Sequence, residues 1–457
     1  MNNAILFFDD YMLLEYAGVR KRFFSGKKMF EIPIQKPHEI GGQIIYEPDT
    51  GIYRNWRRVI DTKRDLPVEL RIYESKNLMD WTELPGYGPI DPSDPAVGFI
   101  NRDIFEPDPS MRYKSAYIVR NPDNATGYGY ISVSPDGLIW SEKYKHQFCD
   151  YVSDSVNSAF YNPVFQEHQI TLRGGFIDRR IFCVNSKDQL IWTKPRCLMM
   201  PCPTDEPCTE YYGMSVFPQE GYFLGLLQKF YPPVPSYGNR NGKSAGVTDT
   251  FLTYSYDGNC WNLVSPCPVV ERPLPPEHGC SGIYLYSLNP SPDGSEWILS
   301  GDIRRVDHSC SVPPEPAHQE ACAATGLYKI RKEGFIGLES NSEGSEMTFR
   351  RIILNGDDLF FNLCAPLGWA RFQIRDAGGV IPGFAYEDCI PFICNDQTRY
   401  RPQWQARDIR ELRGKNITIQ VRMYMALFFS ITGDFFNHTG YQPMINLGDT
   451  ARPHNLE

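Results

Sequence analysis

Short apolar runs broken by Pro, Asp and Gly recur along the first three quarters of the chain. One pattern, an apolar strand, a polar turn and a second aromatic strand, occurs five times. The copies lie at 41–59, 99–118, 158–176, 212–230 and 282–301. Runs of β-favouring residues bounded by turn residues are typical of β-hairpins. Each copy therefore predicts the opening pair of strands of one structural unit.

A second pattern, Ser-x-Asp/Asn-x-x-x-Trp, alternates with the first. It begins at Ser75, Ser134, Ser186 and Ser255, at steps of 59, 52 and 69 residues. Because Ser and Asp side chains bond to nearby backbone groups, the pattern predicts a tight turn after which Trp opens the next strand. A similar run from Ser291 falls in an opening hairpin, so we interpret it as a coincidence. The fifth unit is expected to close with 326–340, where the turn keeps its Gly but loses Ser and Trp.

Two hairpins per unit give four strands, and regular units of this length are the sequence signature of a β-propeller. We therefore predict an all-β protein with a five-bladed β-propeller at 1–344. The alternative is a large β-sandwich with unrelated hairpins. From 345 to 457 the Trp turn is absent, and alternating apolar residues such as Phe372 and Ile374 predict a small C-terminal β-sandwich. A polar tail or surface-wrapping arm is expected from Tyr441.

Charge and apolar content narrow the classes of partner. The 457 residues include 46 Lys and Arg against 55 Asp and Glu, a net charge of −9. This balance argues against a nucleic-acid partner and against adsorption to an anionic membrane. The run from Met423 to Ile431 is much shorter than a spanning helix, and Asp9 and Asp10 interrupt the N-terminal apolar run. We expect a soluble, cytoplasmic protein, and a homo-oligomer stays open.

The 13 cysteines are an odd number, and we interpret them as reduced thiols. Cys197, Cys202 and Cys208 form one cluster without the spacing of a zinc site and without a nearby His. A Pro-rich loop is the better interpretation of this cluster. Neither a metal nor a cofactor is expected.

Several segments resemble a known group of enzymes. These are LFFDDYML, IYEPDTGIYRNW, SDSVNSAFYNP and EYYGMSVFPQEGYFLGLL, followed near the C-terminus by IRDAGGVIPGFAYEDC and LRGKNITIQVRMYMALFFS. Over nearly its whole length the chain resembles uncharacterised bacterial proteins related to glycoside hydrolase family 32, within the five-bladed propeller group that includes families 43, 68 and 130. The resemblance implies that architecture. The chain has no WMNDPNG-type segment and no Glu-Cys dipeptide, and Ile104 follows Arg102-Asp103 where family 32 has Pro, so the family's reaction and sugar are not implied.

Carboxylates near the beginning of each unit are the candidates for chemistry. In a propeller the first strand of each blade lines the central channel, where ligands bind. Glycoside hydrolysis uses two carboxyl groups, and a third often tunes the acid. The predicted catalytic residues are Glu39, Asp154 and Glu210, with Asp103 in reserve. The predicted substrate-binding residues are His38, Arg102, Asn157, Arg173, Tyr212, Asp249, Glu277, His278 and His308.

Each candidate also has a structural explanation. Glu39 and Glu210 could be loop charges, and Glu277-His278 could simply be exposed. Arg102-Asp103 could form a structural salt bridge, and Asp154 and Asn157 could cap a turn. Arg173 and Asp249 are weaker, because strands further from the axis rarely reach substrate. Asp302 and His308 could cover the channel mouth from a loop.

Three functions remain open. The first is a glycoside hydrolase that cleaves an oligosaccharide or glycoside in the channel, and the second is a carbohydrate-binding propeller without catalysis. The third is a protein-interaction propeller. Acids on all the first strands favour the first two, because a scaffold has no need for them. A phosphorylase is an alternative to the hydrolase, since Arg102, Arg173, His278 and His308 could bind phosphate.

Overall fold

The chain is described here from a computed structural model. It describes residues 3–33, 39–40, 43–61, 66–85, 98–120, 127–151, 153, 155–174, 179–232, 246–306, 308 and 323–437. These residues form β-strands and two short 3₁₀ turns, Pro109–Met111 and Ile409–Leu412, so the all-β prediction is confirmed for them. No helix in this part of the chain has the length and apolarity needed to span a bilayer.

The chain divides into two compact units. The first unit is Ser25–Ile330, and the second unit combines Met1–Phe24 with Arg331–Glu457. The two units therefore divide after Ile330, whereas the sequence predicted a boundary at 344. The 24 N-terminal residues also belong with the C-terminal segment, which no local pattern indicated.

Three strands precede the first unit: β1 (Asn3–Leu6), β2 (Leu13–Ala17) and β3 (Val19–Phe23). The strands of the first unit are β4 (Lys27–Pro33), β5 (Glu39–Ile40), β6 (Ile44–Glu47), β7 (Ile52–Asp61), β8 (Leu66–Ser75), β9 (Thr82–Glu83), β10 (Phe99–Arg102), β11 (Tyr113–Arg120), β12 (Gly127–Ser134), β13 (Ser141–Cys149), β14 (Ser158–Asn162), β15 (Glu167–Arg173), β16 (Ile181–Ser186), β17 (Arg196–Met199), β18 (Glu210–Gln219), β19 (Tyr222–Tyr231), β20 (Val247–Ser255), β21 (Asn262–Leu263), β22 (Gly282–Pro290), β23 (Glu296–Arg304) and β24 (Ala323–Arg331). The remaining strands are β25 (Ile336–Ser340), β26 (Ser345–Phe349), β27 (Ile352–Asp376), β28 (Gly379–Val380), β29 (Cys389–Ile390), β30 (Phe392–Tyr400), β31 (Gln403–Trp404), β32 (Asn416–Tyr424) and β33 (Leu427–Asn437).

The first unit is built from antiparallel meanders of four strand positions. The first sheet runs β5/β6–β7–β8–β9, the second β10 to β13 and the third β14 to β17. The fourth runs β18 to β21, and the fifth runs β22–β23–β24–β4. One parallel pair, Thr248 with Gly282, joins the last two. All five opening hairpins expected from the sequence are present.

The fifth sheet closes differently from the expectation. Its third strand β24 pairs with β4 from near the N-terminus, with Leu327 opposite Phe30. The expected closing segment 326–340 contributes only β24 to this sheet, and β25 pairs with β3 and β33 in the second unit. The prediction for the fifth closing hairpin was therefore wrong, because a local pattern cannot show that the outer strand comes from elsewhere in the chain.

The four Ser-x-Asp/Asn turns connect the third and fourth strands of the first four sheets, as predicted. In the turn of the second sheet, Asp136 Oδ1 accepts the backbone N–H groups of Leu138 at 2.8 Å and Ile139 at 3.0 Å. Asn77, Asp188 and Asp257 repeat this arrangement in the other three turns. The Trp that ends each pattern is half-buried and packs against an apolar cluster shared by two neighbouring sheets.

The first strand of each sheet lies beside that of the next. Gln43 bonds to the backbone of Ile100, and Asn101 Nδ2 donates to Ser158 Oγ at 2.8 Å. Ser158 Oγ in turn accepts from Val216 N at 3.0 Å. The fifth sheet returns to the first, because Ile44 N donates to Ser287 Oγ at 3.0 Å. Strand β22 also lies against β18 and β19.

The second unit contains a ten-stranded sheet ordered β2-β26-β32-β27-β33-β25-β3, with β1, β28 and β30 paired at its sides. Its long central strand β27 buries alternate residues, among them Ala370, Phe372 and Ile374. The alternation predicted here is thus present. The three N-terminal strands complete this sheet, and the tail from Tyr441 lies outside the described residues.

Candidate functional site

The predicted channel residues that the structure brings together lie where β18 and β22 begin and where β15 and β23 end. Opposite strand ends meet there because the sheets are antiparallel: Glu210 lies opposite Phe230, and Gly282 opposite Arg304. We call the side chains around Glu210, Tyr212, Tyr284 and His308 the candidate site.

Glu210 is the buried carboxylate of this site. It is the first residue of β18, and its side chain is 6% exposed. Its Oε2 forms an ion pair with Arg179 Nη1. The backbone also ties the two segments together, because Tyr211 N donates to Arg179 O at 3.0 Å. A buried carboxylate is stable only when it is paired, so Arg179 both compensates and orients Glu210.

Two arginines pack on the ring of Tyr212. The guanidinium carbons of Arg173 and Arg179 each lie 5.4 Å from its centroid, and Arg179 also lies 5.1 Å from the ring of Phe230. Such cation–π contacts are strengthened where water is excluded. Arg173 ends β15, a second strand, and nevertheless reaches this site, contrary to the low weight given to second strands.

His308 packs against the same rings. Its imidazole centroid lies 4.8 Å from Tyr212, 5.0 Å from Phe230 and 6.4 Å from Tyr284. Burial, together with the charges of Arg304 and Arg179, lowers the pKa of His308 to about 3. The imidazole is therefore neutral at neutral pH and can serve as a hydrogen-bonding group, not as a cation.

A tyrosine and aspartate pair borders the site on β22 and β23. Tyr286 Oη donates to Asp302 Oδ2 at 3.1 Å, and burial and Asp302 raise the pKa of Tyr286 well above its ordinary value. Arg304 lies 5.1 Å from the ring of Tyr284, whose hydroxyl accepts from Thr248 Oγ1 at 2.9 Å. The site thus presents tyrosine rings, guanidinium groups and carboxylates, which can stack on a ligand and exchange hydrogen bonds with it.

Of the predicted site residues, Glu210, Arg173, Tyr212 and His308 come together here. His38 and Asp154 lie outside the described residues. The backbone of Glu39 pairs with Val59 in the first sheet, and its side chain is not described.

Asp103 and Arg102 lie at the other end of their sheet. Asn101 lies beside Val216, six residues after Glu210, so Asp103 is separated from Glu210 by roughly 25 Å along the strand direction, at about 3.3 Å per residue. Asp103 is ion-paired with the fully buried Lys114, and Arg102 Nε lies 3.3 Å from Glu47. The structural explanation, a salt bridge, describes both residues.

Of the remaining predicted residues, Asn157, Asp249 and His278 have structural partners. Asn157 is buried and exchanges hydrogen bonds with Ser153, at 2.6 and 2.9 Å, as the turn-cap alternative expected. Arg272 Nε donates to Asp249 at 2.7 Å, and burial raises the pKa of Asp249. His278 Nδ1 lies 2.9 Å from Glu31 on β4, the outermost strand of its sheet, and Glu277 is exposed.

The sequence did not predict Arg179, Arg304, Tyr284 or Phe230 as site residues. Arg179 precedes a third strand, and the other three lie within apolar strands and are not carboxylates. One signal was available: Arg304, like Arg173, is a charged residue that ends the second strand of an opening hairpin.

Among the described residues, no group of three or more His, Cys, Asp or Glu side chains is arranged to hold a metal ion. Cys197, Cys202 and Cys208 are among these described residues, each as a free thiol.

No protein-family model matches the chain, and no curated protein matches it. Solved structures with some similarity include an N-acetylgalactosamine deacetylase from F. plautii in complex with blood group B trisaccharide, at 13% identity and a TM-score of 0.44, over 70% of this chain and 97% of that one. An endo-arabinase from Bacteroides thetaiotaomicron matches at 13% identity and a TM-score of 0.42, over 66% of this chain and 98% of that one. A mannose phosphorylase from Leishmania mexicana in complex with phosphate matches at 11% identity and a TM-score of 0.41, over 68% of this chain and 88% of that one. Similarities at these scores are too weak to assign an activity.

Proposed function

We propose that the chain is a glycoside hydrolase whose substrate binds where the first strands of residues 25–330 begin. The observation that carries the proposal is Glu210, a buried carboxylate held by Arg179 at the beginning of β18 and bordered by Tyr212. What separates Glu210 from the equally paired Asp103 is its place at the beginning of a first strand, beside the rings of Tyr212 and Phe230.

The proposal includes a five-bladed β-propeller for the first unit. The cycle of contacts from β6 through β10, β14, β18 and β22 back to β6 supports it. We further propose a β-sandwich for the second unit, and kinship with the propeller group of families 32, 43, 68 and 130.

In this proposal the catalytic carboxyl groups come from different blades. Glycoside hydrolysis requires an acid and a base or nucleophile on either side of the scissile bond. Glu210 supplies one, and Asp154 and Glu39, which precede or begin the first strands of two other blades, are the proposed partners. The half-buried Tyr212 would pack on the sugar ring, supported from below by the buried Tyr284, and His308, neutral at neutral pH, would hydrogen-bond to a hydroxyl.

The test replaces carboxylates with amides of the same shape. Glu210→Gln and Asp154→Asn should each lower turnover by at least about a hundredfold, the usual scale for acid–base groups. Both variants should stay folded by circular dichroism, although Glu210→Gln leaves Arg179 without its buried partner and should lower the melting temperature. Turnover is measured on a panel of aryl glycosides and soluble oligosaccharides, using the one that the native protein cleaves best. Glu220→Gln, an exposed carboxylate in the β18–β19 turn, is the matched control and should retain full activity. Near-native turnover in both site variants would refute the assignment.

A phosphorylase is the second candidate, favoured by one observation. Arg173, Arg179 and Arg304 stack on the tyrosine rings of the same site, and guanidinium groups bind phosphate well. With inorganic phosphate present, a phosphorylase releases a sugar phosphate and its rate depends on phosphate. A hydrolase releases the free sugar at a rate that phosphate does not change. Binding of sugars without any turnover would instead indicate the non-catalytic alternative.

A further inference from the structure

The second unit has a groove on the outer face of its sheet. It encloses about 340 Å³ and is lined by Trp369, Arg371, Tyr386, Glu387, Pro391, Ile393 and Arg422. We call the space between these side chains the sheet groove. None of them belongs to the candidate site, which lies entirely in the first unit.

Strand alternation brings these side chains to one face. Ala370 and Phe372 of β27 point into the core, so Trp369 and Arg371 point outward. The register places Trp369 between Tyr424 of β32 and Ile393 of β30. In the next row Arg371 lies opposite Arg422. The sheet therefore presents a row of two aromatic rings and one isoleucine beside a pair of guanidinium groups.

Like charges directly opposite each other on neighbouring strands are destabilising unless something holds them apart. Here each arginine side chain makes its own contacts with neighbouring residues. Arg371 Nη1 donates to Tyr386 O at 3.2 Å, while Arg422 stacks 4.4 Å above the Tyr386 ring with its Nε 3.3 Å from Glu346. Tyr386 thus contacts both guanidinium groups beside the groove.

The chemistry of the groove suits an uncharged ligand with many hydroxyl groups. The charges of Arg371 and Arg422 are balanced by Glu387 on the wall and by Glu346 beside it. A half-buried Trp offers an apolar face, while guanidinium and carboxylate groups donate and accept hydrogen bonds in fixed directions. Sugar rings combine an apolar C–H face with hydroxyl groups at the edge.

We propose that the sheet groove binds a neutral glycan chain, at a site separate from the candidate active site. The ring of Trp369 packs on one sugar unit, and Arg371, Arg422 and Glu387 bond to its hydroxyl groups. This second site holds a polymer on the protein independently of cleavage. The inference goes beyond the proposed function and shares with it only the premise that the protein acts on glycans.

The test is native electrophoresis of the full chain through gels that contain arabinan, arabinoxylan, galactomannan or mixed-linkage β-glucan. At least one of these should lower the mobility of the native protein at least about twofold. Trp369→Ala and Glu387→Ala should restore most of the mobility. Glu387 is exposed, so its loss should not affect folding. Tyr256→Ala, which removes an aromatic side chain that is 44% exposed in the first unit, is the matched control and should remain retarded.

Further variants separate this proposal from the proposed function. Glu210→Gln should keep the retardation, and Trp369→Ala should keep the turnover on small aryl glycosides. The groove proposal is overturned if none of the four polysaccharides slows the protein, or if Trp369→Ala is slowed as much as the native chain. It is also overturned if a fifth gel, containing the anionic polysaccharide polygalacturonate, slows the protein while none of the four neutral polysaccharides does, since this would indicate an anion site. A changed oligomeric state in Trp369→Ala would overturn it in favour of an interface between copies.

Discussion

At the residue scale, Lys114 joins the second and third sheets through a buried charge network. Its side chain has no exposed surface, and its Nζ pairs with Asp103 and lies 2.6 Å from Glu106. Lys114→Met would leave two buried carboxylates without their cation, which typically costs about 3–5 kcal/mol. We expect a loss of that size in the free energy of unfolding, measured by urea denaturation.

The control for this prediction is an exposed ion pair in the same unit. Lys329 and Glu296 lie 3.0 Å apart, with side chains 44% and 35% exposed. Because exposed pairs contribute little, Lys329→Met should cost less than about 1 kcal/mol. Equal losses in the two variants would contradict the role assigned to the buried network.

One buried and one half-buried histidine, His168 and His308, make stability depend on pH. Burial lowers the pKa of His168 to about 4 and that of His308 to about 3, with the charges of Lys114 and Arg304 acting in the same direction. Below pH 6.5 the two histidines of the unfolded chain take up protons that the folded chain does not bind. Their contribution to the free energy of unfolding is therefore fully present above pH 6.5 and is lost as the pH falls toward the folded pKa values. Each histidine contributes a slope of up to about 1.4 kcal/mol per pH unit.

His308→Gln removes this proton uptake for one of the two sites. The free energy of unfolding, measured by urea denaturation between pH 6.5 and 5, should fall less steeply in the variant than in the native protein. His168→Gln should act in the same way, and the double variant should show the sum of the two effects because the sites are separate. An unchanged slope in all three variants would show that both imidazoles already titrate normally in the folded protein.

At the scale of the structural element, the same Ser-x-Asp/Asn turn connects the third and fourth strands in four sheets of the first unit. Burial raises the pKa of Asp136, but hydrogen bonds from Ile139, Leu138 and Ser134 outweigh it and hold that pKa below its ordinary value. Asp136→Ala removes the acceptor for two backbone N–H groups, as the loss of a helix cap does, and should cost about 1–2 kcal/mol. The measurement is urea denaturation.

The chain contains the control for this turn. Asn77 occupies the same position in the first sheet and accepts the N–H groups of Met79 at 2.9 Å and Asp80 at 2.8 Å, so an amide oxygen fits the turn. Asp136→Asn should therefore stay within about 0.5 kcal/mol of the native stability. A loss as large as that of the alanine variant would mean that the negative charge, and not the acceptor geometry, stabilises the turn.

Elements fixed by local sequence were predictable, and those fixed by distant contacts were not. The turn at Ser134 and the hairpin at 99–118 depend on residues close in sequence, and both are present. The outer strand β4 of the fifth sheet pairs with β24 across most of the chain, and no local pattern shows such a pairing.

The same limit applies to the candidate site. Glu210 could be proposed because a carboxylate before an apolar strand is visible in the sequence. Its partner Arg179 comes from a loop of the neighbouring sheet and becomes visible only in three dimensions. Asp103 was misleading because a charged residue beside an apolar strand can equally be paired inside the protein, as it is here with Lys114.

At the scale of the whole molecule, the N-terminus belongs to the second unit. Strand β1 pairs with β33, β2 with β26 and β3 with β25, so the first 24 residues supply three strands to a sheet formed mainly by residues beyond 330. Apolar side chains of this segment, among them Ile5, Phe7 and Leu13, are buried. Removing the segment would expose their packing partners and leave the edges of the sheet unpaired.

Deletion of residues 2–24 should therefore destabilise the second unit while β4 stays available to the fifth sheet. We expect trypsin to cut the variant rapidly between 331 and 437, a range that the native chain protects, and much of the variant to be insoluble. Limited proteolysis followed by mass spectrometry locates the cuts. A deletion extended through residue 34 also removes β4, so it should add cuts between 296 and 330, because β24 then loses its outer neighbour. If the shorter deletion leaves the melting temperature and the digestion pattern unchanged, the N-terminal strands contribute no stability to the sheet that they complete.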